Sequence, residues 1–81
     1  MIPMVENIQN TVLDVRGEKC PYPFIRTKWQ MEKMESGDIL KVITDDSEAP
    51  YNIDAWTKRS GDEIKELEME GSIFIIYLKK N

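Results

Sequence analysis

A single cysteine beside two prolines is the group in this sequence whose type and spacing most strongly indicate chemistry. Cys20 opens the segment Cys-Pro-Tyr-Pro, in which Pro21 and Pro23 fix two backbone angles. Proline is well tolerated in the first turn of a helix, so the segment predicts that a helix begins at Cys20. A helix N-terminus favours an anion, and the thiolate is the nucleophilic form of cysteine. The alternative is an inert cysteine packed in the core.

Residues close to this cysteine are predicted to support a charged sulfur atom. Arg16 and Lys19 precede it, and Lys28 follows on the predicted helix. These cations are expected to stabilise the anion or to contact an acidic partner protein. Because proline has no N–H, the amides of Tyr22 and Phe24, or those that follow, are expected to meet the sulfur anion.

The residue counts exclude several kinds of site. The chain has one cysteine and no histidine, which excludes an internal disulfide, a dithiol motif, a Cys–His dyad, a Ser–His–Asp triad and histidine-ligated metal. We therefore expect no metal and no cofactor. Sulfur exchange proceeds through an ionised sulfur without a general base, so a lone thiol can accept a sulfur atom and pass it on.

Length and composition indicate one small soluble domain. Of the 81 residues, 41% are hydrophobic and 32% are charged. Residues 1–10 are interpreted as a flexible leader without the features of a signal peptide, and residues 11–81 as a single domain. The longest apolar run, residues 73–78, is far shorter than the ~20 residues of a membrane span. The sequence therefore predicts a cytoplasmic protein with no membrane contact.

Charge is unevenly distributed along the chain. The net charge is −4, yet residues 14–34 hold five basic and three acidic side chains, whereas residues 35–70 hold four basic and eleven acidic ones. The basic stretch surrounds Cys20. The acidic stretch argues against direct nucleic-acid binding, which needs several cations on one surface.

Hydrophobic periodicity and turn residues predict a β-α-β-α-β-β order. Gly17 permits the turn after the first strand, and Asp46 and Ser47 are expected to cap the second helix, with cation binding by Asp45 and Asp46 as the alternative. Right-handed crossovers place both helices on one face, which gives a two-layer α+β sandwich with one open sheet face. The predicted elements are strands over 11–15, 38–45, 63–70 (with a bulge) and 73–79, and helices over 20–35 and 48–60.

The pattern along the first helix separates a core stripe from a second group of residues. Phe24, Thr27, Met31 and Met34 recur at helical spacing and are predicted to face the core. Ile25 and Trp29 lie off this stripe, so they form either the edge of the core or, with Tyr22, a surface for a partner protein. In the last strand, either residues 73, 75 and 77 or residues 74, 76 and 78 should face away from the helices.

The segment Leu13-Asp-Val-Arg-Gly-Glu-Lys-Cys-Pro-Tyr-Pro23 resembles the signature of the TusA/SirA-like sulfur carriers, and the resemblance extends over about residues 12–79. It implies a mixed four-stranded sheet of order 1-2-4-3. It also implies that Cys20 takes a persulfide sulfur from a cysteine desulfurase or another sulfurtransferase. Delivery would be to an acceptor protein in a relay that serves tRNA thiolation or other sulfur metabolism.

Two other functions remain as alternatives at this point. The first is a non-catalytic regulatory or interaction module that uses the open sheet face and Trp29, in which replacing Cys20 would leave partner binding intact. The second is nucleic-acid binding, which rests on fold analogy alone. The sulfur carrier is favoured because it uses the motif around the lone thiol.

Overall fold

A computed structural model describes residues 10–81, which form the predicted β-α-β-α-β-β order. The predicted leader lies outside the described residues, apart from Asn10, which is the first residue of β1. The elements are β1 (Asn10–Asp14), α1 (Tyr22–Glu32), β2 (Ile39–Thr44), α2 (Ala49–Ser60), β3 (Glu63–Glu70) and β4 (Ile73–Lys79).

The four strands form one mixed sheet of order β1-β2-β4-β3. β1 and β2 are parallel, as their crossover through α1 requires, and β4 runs antiparallel to both of its neighbours. The two helices cover one face of the sheet. This arrangement confirms the two-layer α+β sandwich and the strand order expected from the family resemblance.

The core lies between the helices and the central strands. Alternate residues of β2 and β4 point towards the helices, so Leu40, Val42, Ile76 and Leu78 are almost fully buried. Full burial of a large apolar side chain contributes roughly 1.5–3 kcal/mol. From the predicted stripe of α1, Thr27, Met31 and Met34 are buried and Phe24 is half-buried against the core.

Within residues 10–81, no helix covers the opposite face of the sheet. Because Ile76 and Leu78 face inwards, their neighbours Ile73, Ile75 and Tyr77 lie on the open face and are half-buried. Strand register thus settles which set of β4 side chains points away from the helices.

The first helix is shorter than predicted at both ends. It begins at Tyr22, with Pro21 as the residue before its first turn, and not at Cys20. At its C-terminus, Lys33 N donates to Gln30 O and Met34 N donates to Met31 O, both at 3.1 Å. These bonds tighten the last turn and end the regular helix at Glu32.

The second helix begins at Ala49, one residue later than predicted. Glu48 precedes it and makes no side-chain capping bond, whereas Asp46 Oδ1 accepts from Glu48 N at 3.2 Å. Asp46 therefore orders the turn before the helix and does not cap its first turn. The β3 bulge is confirmed between Ile64 and Glu66. Neither described helix is long and apolar enough to cross a membrane.

Candidate functional site

Cys20 lies in the connection between β1 and α1, at the edge of the sheet where the two parallel strands end. Val15 follows β1, is fully buried, and donates its N–H to Ile43 O at 2.9 Å, which continues the pairing with β2. The chain then turns away from the sheet, and the Cys20 side chain is exposed and free. The sulfur is therefore open to a second molecule.

The turn before the cysteine is tied to the loop that follows β2. Gly17 has a φ of +89°, a left-handed conformation that side chains rarely adopt. Its N–H donates to Asp45 Oδ1 at 3.1 Å, and Glu18 N donates to Val15 O at 3.1 Å. Gly17 thus shapes the turn as the sequence predicts, and Asp45 holds it against the start of α2.

The two prolines occupy different environments at the start of α1. Pro21 is exposed and follows Cys20 through a cis peptide bond, while Pro23 is buried in the first helical turn. Tyr22 N donates to Lys19 O at 2.9 Å, so this amide does not serve the sulfur as predicted. The motif shapes the backbone around the cysteine, but the Tyr22 amide donates to a backbone carbonyl and not to the sulfur.

A side chain from α2 supplies a hydrogen bond to the thiol. Asn52 Nδ2 donates to Cys20 Sγ at 3.7 Å, within the range accepted for sulfur. Sequence reasoning did not assign Asn52 to the site. The available signal was its spacing: Asn52 and Trp56 lie one turn apart, on the same side of α2.

Packing between the helices brings Asn52 and Cys20 together. The rings of Phe24 on α1 and Trp56 on α2 meet edge to face, with centroids 6.3 Å apart and planes at 72°. Such aromatic pairs contribute ~0.5–1.5 kcal/mol beyond burial of their area. Cys20 lies two residues before α1, and Asn52 lies one turn before Trp56 on α2, so the packing of the two helices also affects how close the cysteine comes to Asn52.

The three predicted cations near the cysteine in sequence differ in their pairing. Arg16 donates to both carboxylate oxygens of Asp14, at 2.9 and 2.6 Å, and this hydrogen bonding lowers the pKa of Asp14 and raises that of Arg16. The guanidinium is thus engaged by Asp14. Lys19 and Lys28 are exposed and form no ion pair with another residue in the range 10–81.

Three residues assigned to a partner surface lie together on the exposed side of α1. Tyr22 and Trp29 are 61% and 59% exposed, and Ile25 between them is half-buried. Their spacing places them on one side of the helix. They form an apolar strip that begins two residues after Cys20.

The acidic residues near the site bind backbone groups. Asp45 accepts from Gly17 N, and Asp46 accepts from Glu48 N. Among residues 10–81 no three acidic or cysteine side chains are grouped so as to hold a metal ion.

Comparison with known proteins identifies the family of the chain. Residues 11–80 match the family described as "Sulfurtransferase TusA". The chain belongs to the TusA family. It is 41% identical over 69 residues to YrkI of Bacillus subtilis, named as a candidate sulfur carrier protein, covering 85% of this chain and 92% of YrkI.

A second relative is the sulfur carrier protein TusA of Allochromatium vinosum, with 38% identity over 69 residues, covering 85% of this chain and 91% of that protein. The crystal structure of a SirA-like protein from Desulfitobacterium hafniense has the same fold, with a TM-score of 0.75 at 23% identity. That match covers 85% of this chain and 95% of the other. The TusA family therefore accounts for nearly all of the described domain.

Proposed function

We propose that this TusA-family protein is a sulfur carrier that holds a sulfur atom as a persulfide on Cys20. The observation that carries the proposal is the exposed, unpaired thiol at the start of α1, within hydrogen-bonding distance of Asn52. Relatives named as sulfur carriers, at 38–41% identity, support the same role.

The loading step exchanges one sulfur–sulfur bond for another. The Cys20 thiolate attacks the outer sulfur of a persulfide on a donor protein and forms a new S–S bond at Sγ. The donor S–S bond breaks, and its electron pair leaves on the donor cysteine as a thiolate. Cys20 is oxidised to the persulfide and the donor is reduced to the thiol, so no other oxidant is needed.

Delivery repeats the same chemistry in the other direction. A thiolate on the acceptor protein attacks the outer sulfur of the Cys20 persulfide, and Cys20 leaves as a thiolate. An N–H of Asn52 at Sγ stabilises the charge that forms there, since hydrogen bonds to charged groups are stronger than neutral ones. Because this chain has no second cysteine, the loaded sulfur is not lost to an internal disulfide.

The other predicted residues have supporting roles in this proposal. Gly17, Pro21 and Pro23 shape the connection that presents the thiol. Lys19 and Lys28 supply free positive charge on the α1 side, while Arg16 is held by Asp14 in the turn before the cysteine. The strip of Tyr22, Ile25 and Trp29 contacts a partner protein. No metal or cofactor takes part.

The partners follow from the chemistry of the two steps. The donor is a cysteine desulfurase or another sulfurtransferase, and the acceptor is a protein in a cytoplasmic relay for tRNA thiolation or another sulfur-using pathway. Direct nucleic-acid binding is not part of the proposal, because residues 35–70 are strongly acidic.

Intact-mass measurement tests the proposal directly. After incubation with a purified cysteine desulfurase and cysteine, the protein should gain the mass of one sulfur atom, and a reductant should remove it. Cys20→Ser should gain none. If the native protein gains no sulfur from a desulfurase that loads another acceptor in parallel, the proposal is wrong.

A further inference from the structure

An open apolar groove lies between the first turns of α2 and the hairpin of β3 and β4. Its volume is about 790 Å³. Leu67, Met69 and Phe74 contribute to its floor, and Tyr51 of α2 forms one wall. This groove is separate from the thiol and from the exposed strip of α1.

The apolar side chains of the groove are unusually exposed. Tyr51 is 75%, Met69 64% and Leu67 49% exposed, although the two β3 side chains lie on the sheet face that the helices cover elsewhere. A pocket for a small ligand normally buries most of its guest. A shallow floor of exposed leucine, methionine and aromatic groups is typical of a surface for another protein.

The charge around the groove determines what kind of segment can occupy it. Two charged side chains line the groove, Glu48 and Asp54, and both are acidic. Glu48 and Asp54 lie at the rim, where Asp54 pairs with Lys58 at 3.2 Å. An occupant must therefore combine large apolar side chains with basic ones.

The groove opens at the same edge of the sheet as the cysteine. Phe74 pairs with Thr44 at the end of β2 and with Met69 on β3, and this edge is where β1 and β2 both end. On α2, Tyr51 faces the groove while its neighbour Asn52 contacts Cys20. The first turns of α2 thus separate the groove from the thiol.

We propose that the groove docks a basic amphipathic helix of a partner protein. Large apolar side chains of that helix lie between Tyr51 and Met69, and its lysine or arginine side chains face Glu48 and Asp54. The identity of this partner rests on the sulfur-carrier role proposed above: it is one that exchanges sulfur with Cys20, because the groove and the cysteine open at the same edge of the sheet, on either side of the first turns of α2.

Titration with a defined peptide, followed by NMR of the reduced native protein, tests the groove. The probe is a synthetic amphipathic helix with leucine on one side and lysine on the other. Amide shifts are expected at Tyr51, Leu67 and Met69. Changing both Leu67→Gln and Met69→Gln should weaken binding about tenfold. The matched control is Val12→Thr, an exposed side chain on the open sheet face, which should bind like the native protein.

Three results would overturn the proposal. The first is equal binding of a peptide with glutamate in place of lysine. The second is a set of shifts at Tyr22 and Trp29 in place of the groove. The third is concentration-dependent shifts in the groove without peptide, together with a dimer in sedimentation, which would make a second copy of the chain the occupant. No sulfur donor is present, so failure here is distinguishable from failure of sulfur loading.

Discussion

At the scale of single residues, the immediate partner of the thiol comes from a distant part of the chain. Asn52 lies 32 positions after Cys20, and its side-chain amide donates to Sγ. The amide of Tyr22, in contrast, is used by the Lys19 carbonyl. The hydrogen bonding of the sulfur therefore depends on a side chain of α2 as well as on the cysteine-proline motif.

Replacing this donor with a carboxylate should slow the chemistry of the thiol. Asn52→Asp places a negative charge where the amide now donates at 3.7 Å. A charge at about 4 Å in a water-like medium costs about 1 kcal/mol, so the rate of alkylation of Cys20 by iodoacetamide near neutral pH should fall about fivefold. The rate is measured by intact mass. Asn52→Ala, which removes the donor without adding a charge, should reduce the alkylation rate less than Asn52→Asp does.

The matched control for this prediction is Asn10→Asp, which makes the same charge change at the start of β1. It should be alkylated as fast as the native protein. Equal rates for Asn52→Asp and the native protein, with unchanged thermal unfolding, would show that Asn52 does not influence the thiol.

At the scale of elements, β3 carries two neighbouring acidic side chains on the open face of the sheet. Glu66 and Glu68 lie on the open face of β3, opposite Tyr77 and Ile75. A hydrogen bond with Glu66, together with repulsion between the two groups, raises the pKa of Glu68, while Lys41 acts in the opposite direction. A carboxyl group with a raised pKa in the folded protein destabilises the fold once it is ionised.

Removing one of these carboxylates should stabilise the protein at neutral pH. Glu66→Gln relieves the repulsion, so its free energy of unfolding in urea should exceed that of the native protein near neutral pH. The native protein recovers this difference as pH falls through the raised pKa of Glu68 towards the ordinary value of 4.5. The two should therefore converge in acid. The control is Glu35→Gln, which removes an exposed charge in a turn. The difference between its free energy of unfolding and that of the native protein should not disappear in acid in this way.

Most of the elements could be predicted from the sequence because their signals are local. The apolar run of β4 and the glycines beside β3 gave the strand limits that the structure has. The start of α1 was placed two residues early, since Pro21 is compatible with both a helical and a preceding turn position. The Asn52 contact could not be predicted, because it joins residues 32 positions apart that come together only when α2 packs beside the start of α1.

The position of the groove could not be predicted from the sequence either, and the reason is physical. Alternation in β3 is interrupted by the bulge, so the side of the sheet on which Leu67 and Met69 lie follows only from their pairing with Ile76 and Phe74. Sequence alone left open which face of β4 points outwards. The pairing register of the strands depends on contacts between residues distant in sequence. It decides both on which side Leu67 and Met69 lie and which side chains of β4 point outwards.

At the scale of the whole molecule, Cys20 lies between two surfaces of opposite charge. The connection before α1 and α1 itself carry Lys19, Lys28 and Arg26, the last paired with Glu18 at 2.8 Å. The α2 and β3 side carries the acidic groove rim. A partner that reaches the thiol from α1 therefore needs acidic groups there, and long-range attraction should speed its approach.

Reversing the free positive charges on the α1 side should slow sulfur transfer from a donor protein to Cys20 while changing the reactivity of the thiol itself much less. Changing both Lys19→Glu and Lys28→Glu should reduce the rate of sulfur transfer from a purified cysteine desulfurase about tenfold at low salt, and the difference should shrink as salt is added. Alkylation of Cys20 by iodoacetamide, which is uncharged, should change much less. Lys79→Glu, at the opposite edge of the sheet beside Ile39, is the control and should load at the native rate. Equal slowing of sulfur transfer and of alkylation would mean that these lysines act on the sulfur itself. No slowing with the desulfurase would mean that this partner approaches from the groove side.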